Sequence, residues 1–535
     1  MGGFNIGDLK LDVQIYDTTL RDGSQGEGIS FSVDDKIKIA QKLDYLGISY
    51  IEGGWPGSNP KDLDFFRQMR GCELKHARLS AFSSTRKPGG NVKHDNNIAS
   101  VLAAEVSVAA IFGKAWDFHV LRALETTLEE NLAMVRESIA YLKDKGLEVF
   151  FDAEHFFDGF KNNPDYALQV LAAAADAGAD CLVLCDTNGG TLPWELGEII
   201  GRVQNEIKAP LGIHAHNDAG CAVSNSLMAL KQGFTQVQGT MNNFGERCGN
   251  ADLCSIIPNL ELKMNKPCLP PGNLKHLTEA SHYINEISNM PSPNNQPFVG
   301  YGAFAHKGGI HVSALLKDSL TYEHINPEEV GNHRRVLVSE LSGISNLLYK
   351  AKELKLDVNS YDAETRKVIK QIKELENEGF QFEGADASLE LLLRKAFGQF
   401  EDFFQLKNLK IILEKQENND FISEAVVKVM VGDQTLHTAA EGDGPVNALD
   451  NSLRKALTEV YPEIKEMHLS DYKVRVLDGK QGTAARVRVL IDSANKTEKW
   501  STVGVSENII EASWQALVDS INYVLMKRQL HEREA

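Results

Sequence analysis

Eight short apolar runs alternate with longer amphipathic stretches over residues 13–241, and this rhythm constrains the fold more than any other feature of the chain. The runs are VQIYDTTL (13–20), SYIEGGW (49–55), RLSAF (78–82), EVSVAAIF (105–112), EVFFDAEHF (148–156), CLVLCDT (181–187), LGIHAHN (211–217) and QVQGTM (236–241). Between them, VDDKIKIAQKLDYLG (33–47), TLEENLAMVRESIAYLKDKG (127–146) and NPDYALQVLAAAADAG (163–178) have helical periodicity and end in glycine, with Asn163 and Pro164 as an N-cap and first-turn pair. Strands and helices alternating eight times over about 250 residues predict an α/β fold, the (β/α)8 barrel. A doubly wound open sheet is the competing arrangement. It calls for a Gly-rich phosphate turn after the first strand, and TTLRDGSQGEG is not G-x-G-x-x-G.

The chain has 535 residues, too many for one core. The barrel is expected over residues 1–270. From 271 to 400, loop-rich KPCLPPGN and NMPSPNNQP precede helical segments at 344–354, 363–379 and 387–397, which read as a helical connector. From 401 to 535 a strand, strand, helix pattern occurs twice, as a duplicated α+β domain suited to regulation or dimerisation. A net charge of -18 argues against a nucleic-acid partner. No run of about 18 apolar residues predicts a membrane span. The N-terminus lacks a signal-peptide pattern, and seven irregularly spaced cysteines form no disulfide framework, so a cytoplasmic protein is expected.

Chemistry in such a barrel belongs at the C-terminal ends of its strands. Arg21 and Asp22 follow the first run, Glu154 and His155 end the fifth, and Asp186 and Thr187 end the sixth. His214 and His216 end the seventh, and Glu246, Arg247 and Asn250 follow the eighth. In a strand, residues two apart share a face, so GIHAHND sets two imidazoles side by side. With an Asp across the barrel they offer three ligands for a divalent cation such as Mn2+, Fe2+, Co2+ or Zn2+. The competing reading is a pair of satisfied core histidines. Arg21 reads as an electrophile for an oxyanion or carboxylate, or as an ion pair orienting Glu154 or Asp22. Thr187 reads equally as a donor to a substrate carboxylate or as a helix cap.

DTTLRDGSQ, HAHND, GERCGNA, HKGGIH and YEHINPEEVG together resemble the α-isopropylmalate, homocitrate and citramalate synthase family of metal-dependent DRE-TIM barrels. The resemblance spans nearly the whole chain. EGDGPVNALDNSLRKAL is similar to that family's regulatory domain, and LRDGSQGEGISFSVDDKIKIAQKLDYLGISYIEGGWPGSNPKD looks most like its citramalate-forming branch. The resemblance implies a Claisen-type acyltransferase joining acetyl-CoA to a 2-oxo acid, pyruvate on this branch, with release of CoA. The isopropylmalate and homocitrate reactions are the alternatives, and a non-catalytic amino-acid sensor is a third. It implies Asp22, His214, His216 and Asn250 at a divalent ion (Mn2+, Mg2+, Co2+ or Zn2+), with Arg21 facing the 2-oxo acid and paired with Glu154. It further implies Thr187 on the substrate carboxylate, and His311 and Tyr322 in proton transfer, supplied from the connector of the same chain or of a partner subunit. His306 begins the HxxGxH pattern without an assigned role. A homodimer with an amino-acid effector, isoleucine, on the C-terminal domain completes the expectation.

Overall fold

The computed structural model describes residues 4–6, 9–339, 342–356, 363–415, 421–477 and 485–534. It divides into two compact units, Met1–Phe304 with His324–Arg334, and Ala305–Glu323 with Arg335–Ala535.

The first unit is built on a closed parallel barrel. Its strands are β1 (Gln14–Asp17), β2 (Tyr50–Gly54), β3 (Arg78–Ser84), β4 (Val108–Lys114), β5 (Glu148–Glu154), β6 (Cys181–Asp186), β7 (Leu211–Ala215) and β8 (Gln236–Gly239). β8 pairs with both β1 and β7, which closes the ring. Every predicted run is a strand, so the closed barrel replaces the open-sheet alternative. Every residue of β1, β2, β6, β7 and β8 is buried. This is the expected fate of parallel strands covered on both faces, and it explains why their sequences read as apolar runs rather than alternating ones. Tyr16, Tyr50, Phe82, Val108, Ala110, Phe150, Cys181, Val183 and Cys185 fill the interior.

The connecting helices follow local capping rules. Ser32 and Asp35 form a capping box on Val33–Leu46, and Gly47 ends that helix in the left-handed region at φ 98. Asn163 accepts from the backbone N–H of Tyr166, with Pro164 in the first turn, as the sequence predicts. No helix of the described residues is long and apolar enough to cross a membrane.

The second unit carries the connector helices Ile344–Glu353, Ala363–Glu378 and Asp386–Ala396. It ends in two antiparallel three-stranded sheets, each followed by a helix. The first sheet is β9 (Gln405–Lys415), β10 (Phe421–Val431) and β11 (Gln434–Gly442), followed by the helix Pro445–Leu457. The second is β12 (His468–Val476), β13 (Val487–Ala494) and β14 (Lys499–Ser506), followed by Ile509–Glu534. The duplication is therefore real, with one correction. The first half has a third strand, β9, where the sequence suggests only two. QLKNLKIILEK is an edge strand whose residues are exposed or half-buried, so its lysines cost little and mask the pattern.

Candidate active site

Arg21 and Asp22 are held where β1 runs out. The Asp17 carboxylate accepts from the Thr19 N–H (2.9 Å) and hydroxyl (2.8 Å), and Thr19 Oγ1 accepts from the Met241 N–H, which ties this turn to the segment after β8. Arg21 Nε then donates to Glu52 Oε1 at 2.5 Å, and its guanidinium lies 3.8 Å over the Phe82 ring. Glu52 is fully buried on β2 and also accepts from the Tyr16 hydroxyl at 2.7 Å. The expected Arg21–Glu154 pair does not form. Glu154 is ion-paired with Lys114 instead. The reason is register: Lys114 and Glu154 stand opposite each other on neighbouring strands β4 and β5, whereas Arg21 leaves β1 beside β2, the strand that carries Glu52.

His214 and His216 share a face, as the strand reading requires. His214 Nε2 lies 3.3 Å from His216 Nε2 and 3.3 Å from Asp22 Oδ2, and His216 Nε2 lies 3.8 Å from the same oxygen. The ligand atoms of these three buried residues all fall within 4.8 Å of one another. His214 Nδ1 is 3.0 Å from Gln238 Oε1, and Gln238 Nε2 donates to Asp152 Oδ1 at 3.0 Å. Asn250 is bridged to His216 through the backbone. Its Nδ2 donates to the Phe244 carbonyl at 3.2 Å, while its buried Oδ1 has no partner. The loop reaches this position through Gly245 and Gly249: a Cβ on Gly245 would stand 2.5 Å from Asn250 Nδ2, and one on Gly249 would stand 1.9 Å from the Asn243 carbonyl oxygen.

These donors fit a divalent cation. Two imidazole nitrogens and a carboxylate oxygen converge, an orphaned amide oxygen belongs to the adjoining residue, and lone pairs facing one another need a positive charge between them. Burial opposes ionisation of Asp22, but Arg21 and the two histidines hold its carboxyl well below the usual range. Burial disfavours the charged form of His214, yet its contact with Asp22 raises it on balance. His216 is pushed down to about 4 by burial and by His214 beside it. Burial pushes the Asp152 carboxyl up to about 7.

Arg21, Asp22, Glu154, Thr187, His214 and His216 all line one cavity of about 260 Å3 at the strand ends, walled on one side by Trp55, Phe82 and Phe112. Thr187 does not cap the helix that follows it. Its Oγ1 accepts the His155 N–H at 2.9 Å, which leaves the hydroxyl proton free to donate. Arg247 clamps the rim, with Nε 2.7 Å from Asp218 Oδ1 and Nη2 2.8 Å from the Thr187 carbonyl. His311 and Tyr322 belong to the second unit, where their rings stack at 4.3 Å. His306 pairs there with Glu323 at 3.1 Å.

Sequence reasoning missed Glu52, Lys114, Asp152 and Gln238. A signal was present for two of them: Glu52 and Asp152 are carboxylates inside apolar runs of a sheet buried on both faces, where an unpaired charge is too costly to keep.

The chain matches three families in succession: HMGL-like over residues 12–284, the homocitrate synthase post-HMGL domain over 298–379, and the LeuA allosteric (dimerisation) domain over 383–525. It is 56% identical to the (R)-citramalate synthase of Geobacter sulfurreducens, over 97% of this chain and 98% of that protein. It is also 56% identical to the (R)-citramalate synthase of Aquifex aeolicus, over 96% and 98%. The 2-isopropylmalate synthase of Methanocaldococcus jannaschii is 32% identical, over 97% and 95%. With that similarity running from the first barrel strand into the last helix, the chain belongs to the (R)-citramalate synthase family, built on an HMGL-like barrel with a LeuA dimerisation domain.

Proposed function

We propose that the chain condenses acetyl-CoA with pyruvate and hydrolyses the resulting thioester to give citramalate and CoA, acting as a cytoplasmic homodimer. One observation carries the choice of substrate: 56% identity over nearly the full length of two proteins named (R)-citramalate synthase, against 32% to a 2-isopropylmalate synthase.

We assign Asp22, His214, His216 and Asn250 to a divalent ion, one of Mn2+, Mg2+, Co2+ or Zn2+. When bound, such an ion supplies a Lewis acid that polarises the ketone of the 2-oxo acid. Arg21 is held rigid by Glu52 and Phe82, so its guanidinium meets the charge that develops on the ketone oxygen without having to reorganise. Thr187, its oxygen fixed by the His155 N–H, donates a hydrogen bond to the substrate carboxylate. The aromatic wall of Trp55, Phe82 and Phe112 excludes water from the side facing the new carbon–carbon bond. A methyl proton must leave acetyl-CoA, and water must later be activated to cleave the thioester. We assign these proton transfers to Glu154, paired with Lys114, and to His311, stacked on Tyr322. We further propose that residues 1–270 catalyse, 271–400 connect, and 401–535 dimerise and bind isoleucine, which lowers turnover.

The test is CoA release by the purified protein with Mn2+ and acetyl-CoA, comparing pyruvate, 2-oxoisovalerate and 2-oxoglutarate. Pyruvate is expected to dominate. Release with 2-oxoisovalerate but not with pyruvate would move the chain to the isopropylmalate reaction. Isoleucine, and not leucine, is expected to reduce the pyruvate-dependent rate, and an unchanged rate would remove it as the effector.

A further inference from the structure

Beneath the two histidines lies a polar chain that none of the roles above uses. Gln238 is fully buried on β8, and Asp152 is buried on β5 across the barrel interior. A glutamine amide has one accepting end and one donating end. The end facing Asp152 Oδ1, at 3.0 Å, is the NH2 group, which the ionised carboxylate requires because it can only accept. The oxygen end is thereby turned to His214 Nδ1, also at 3.0 Å, where it can only accept. The imidazole then carries a proton on Nδ1, and the neutral ring keeps its lone pair on Nε2, the nitrogen that lies 3.3 Å from Asp22 Oδ2 and 3.3 Å from His216 Nε2.

The opposite tautomer would place an Nε2–H against the Asp22 carboxylate. That hydrogen bond would satisfy the cluster without a cation and would have to be broken before one could enter. We propose that Asp152, acting through Gln238, fixes His214 in the tautomer that keeps Nε2 open to a divalent cation. Asp152 and Gln238 are positioning residues, set apart from the ligands themselves. This rests on the reading of Asp22, His214 and His216 as metal ligands. The competing account is that Gln238 merely fills space and satisfies two neighbours. The two accounts differ in what happens when the polarity of the chain is reversed.

The experiment is Mn2+ titration of the metal-stripped full-length protein, with free Mn2+ read by electron paramagnetic resonance and the fold checked by thermal melting. Gln238→Met keeps the volume and removes both hydrogen bonds, and it is expected to raise the Mn2+ Kd by about 10–100-fold, the range typical of lost outer-shell partners. Gln238→Glu sets two carboxyl groups on one contact and is expected to weaken binding as well. Adding Asp152→Asn should rescue it. The carboxylate introduced at position 238 then accepts from His214 Nδ1–H, and the amide introduced at position 152 donates to that carboxylate. The double variant should return to within about threefold of the parental Kd. The proposal is overturned if Gln238→Met melts like the parent and binds Mn2+ equally well, or if the double variant, which keeps an acceptor for His214 Nδ1–H, binds Mn2+ more than about tenfold more weakly than the parent. The second comparison keeps the test open should the Met variant misfold. His214→Ala separates the underlying reading: if it leaves Mn2+ binding intact, the metal assignment fails, and with it the role given to Gln238.

Discussion

The barrel strands and the C-terminal sheets are both β-structure, yet they treat a charge in opposite ways. All six residues of β6 are buried, whereas β10 alternates buried with more exposed positions along its length. A polar side chain in a parallel strand covered on both faces has no route to water, so it survives only with a partner or a task. Glu52 has Arg21 and Tyr16, and Asp152 has Gln238. In an antiparallel sheet with one open face, the same residue simply turns outward, as the exposed Lys428 does on β10. An acidic or basic residue in a barrel run is therefore informative about function, and one in the C-terminal sheets is not.

Four substitutions probe that contrast, each with a weaker effect than the one before. Asp22→Asn keeps the size of the side chain and removes the carboxylate charge from the cluster. CoA release should fall by about a thousandfold, on the scale of losing a metal's contribution of several kcal/mol. Isothermal titration of the same variant should show isoleucine binding at the parental affinity, because the effector is assigned to a different domain. Arg21→Lys keeps the charge but loses the Nε–H that holds Glu52 and the planar stack on Phe82. A drop in kcat/KM of about a hundredfold is expected, and parental kinetics would make the guanidinium geometry irrelevant.

The third concerns pH. Asp17 is fully buried, and burial pushes its carboxyl up to about 7, against an unfolded value near 3.8. The folded state therefore holds a proton that the unfolded state has released, and stability from this group is lost as pH rises from about 4 toward 7. Asp17→Asn keeps the acceptor for the Thr19 N–H and carries no titrating group, so the urea midpoint of the barrel transition should lose part of its pH dependence. The variant should gain about 2 kcal/mol relative to the parent between pH 5 and pH 7. Parallel pH profiles would contradict the assignment. The fourth is the contrasting control. Leu413→Ala on β9 removes a side chain that is 57% exposed, so a change below about 0.5 kcal/mol is expected. A loss of several kcal/mol would show that this edge is covered in solution, as a dimer partner would cover it.

The same physics explains what the sequence discloses and what it hides. The barrel was legible because eight apolar runs with helices between them admit few closed arrangements, and the strand-end rule then gathered Arg21, Asp22, Thr187, His214 and His216 without any structure. Partner choice was not legible. The pairing of Arg21 with Glu52 rather than Glu154 depends on which strands are neighbours, and the pairing of Glu154 with Lys114 depends on register, neither of which spacing along the chain encodes. Gln238 was hidden for another reason: an amide inside QVQGTM looks like a harmless substitution until the imidazole above it and the carboxyl beside it are both in place. β9 was missed because its lysines face water, where they carry no cost to betray a strand.

The most direct test of the account is metal replacement in the full-length protein. After chelation and removal of the chelator, CoA release from acetyl-CoA and pyruvate should be absent. It should return on adding Mn2+ to the parent, and fail to return in the Asp22→Asn and His214→Ala variants. Metal-free protein that turns over at the parental rate, or variants restored as fully as the parent, would contradict the claim that Asp22, His214 and His216 bring a cation to the substrate.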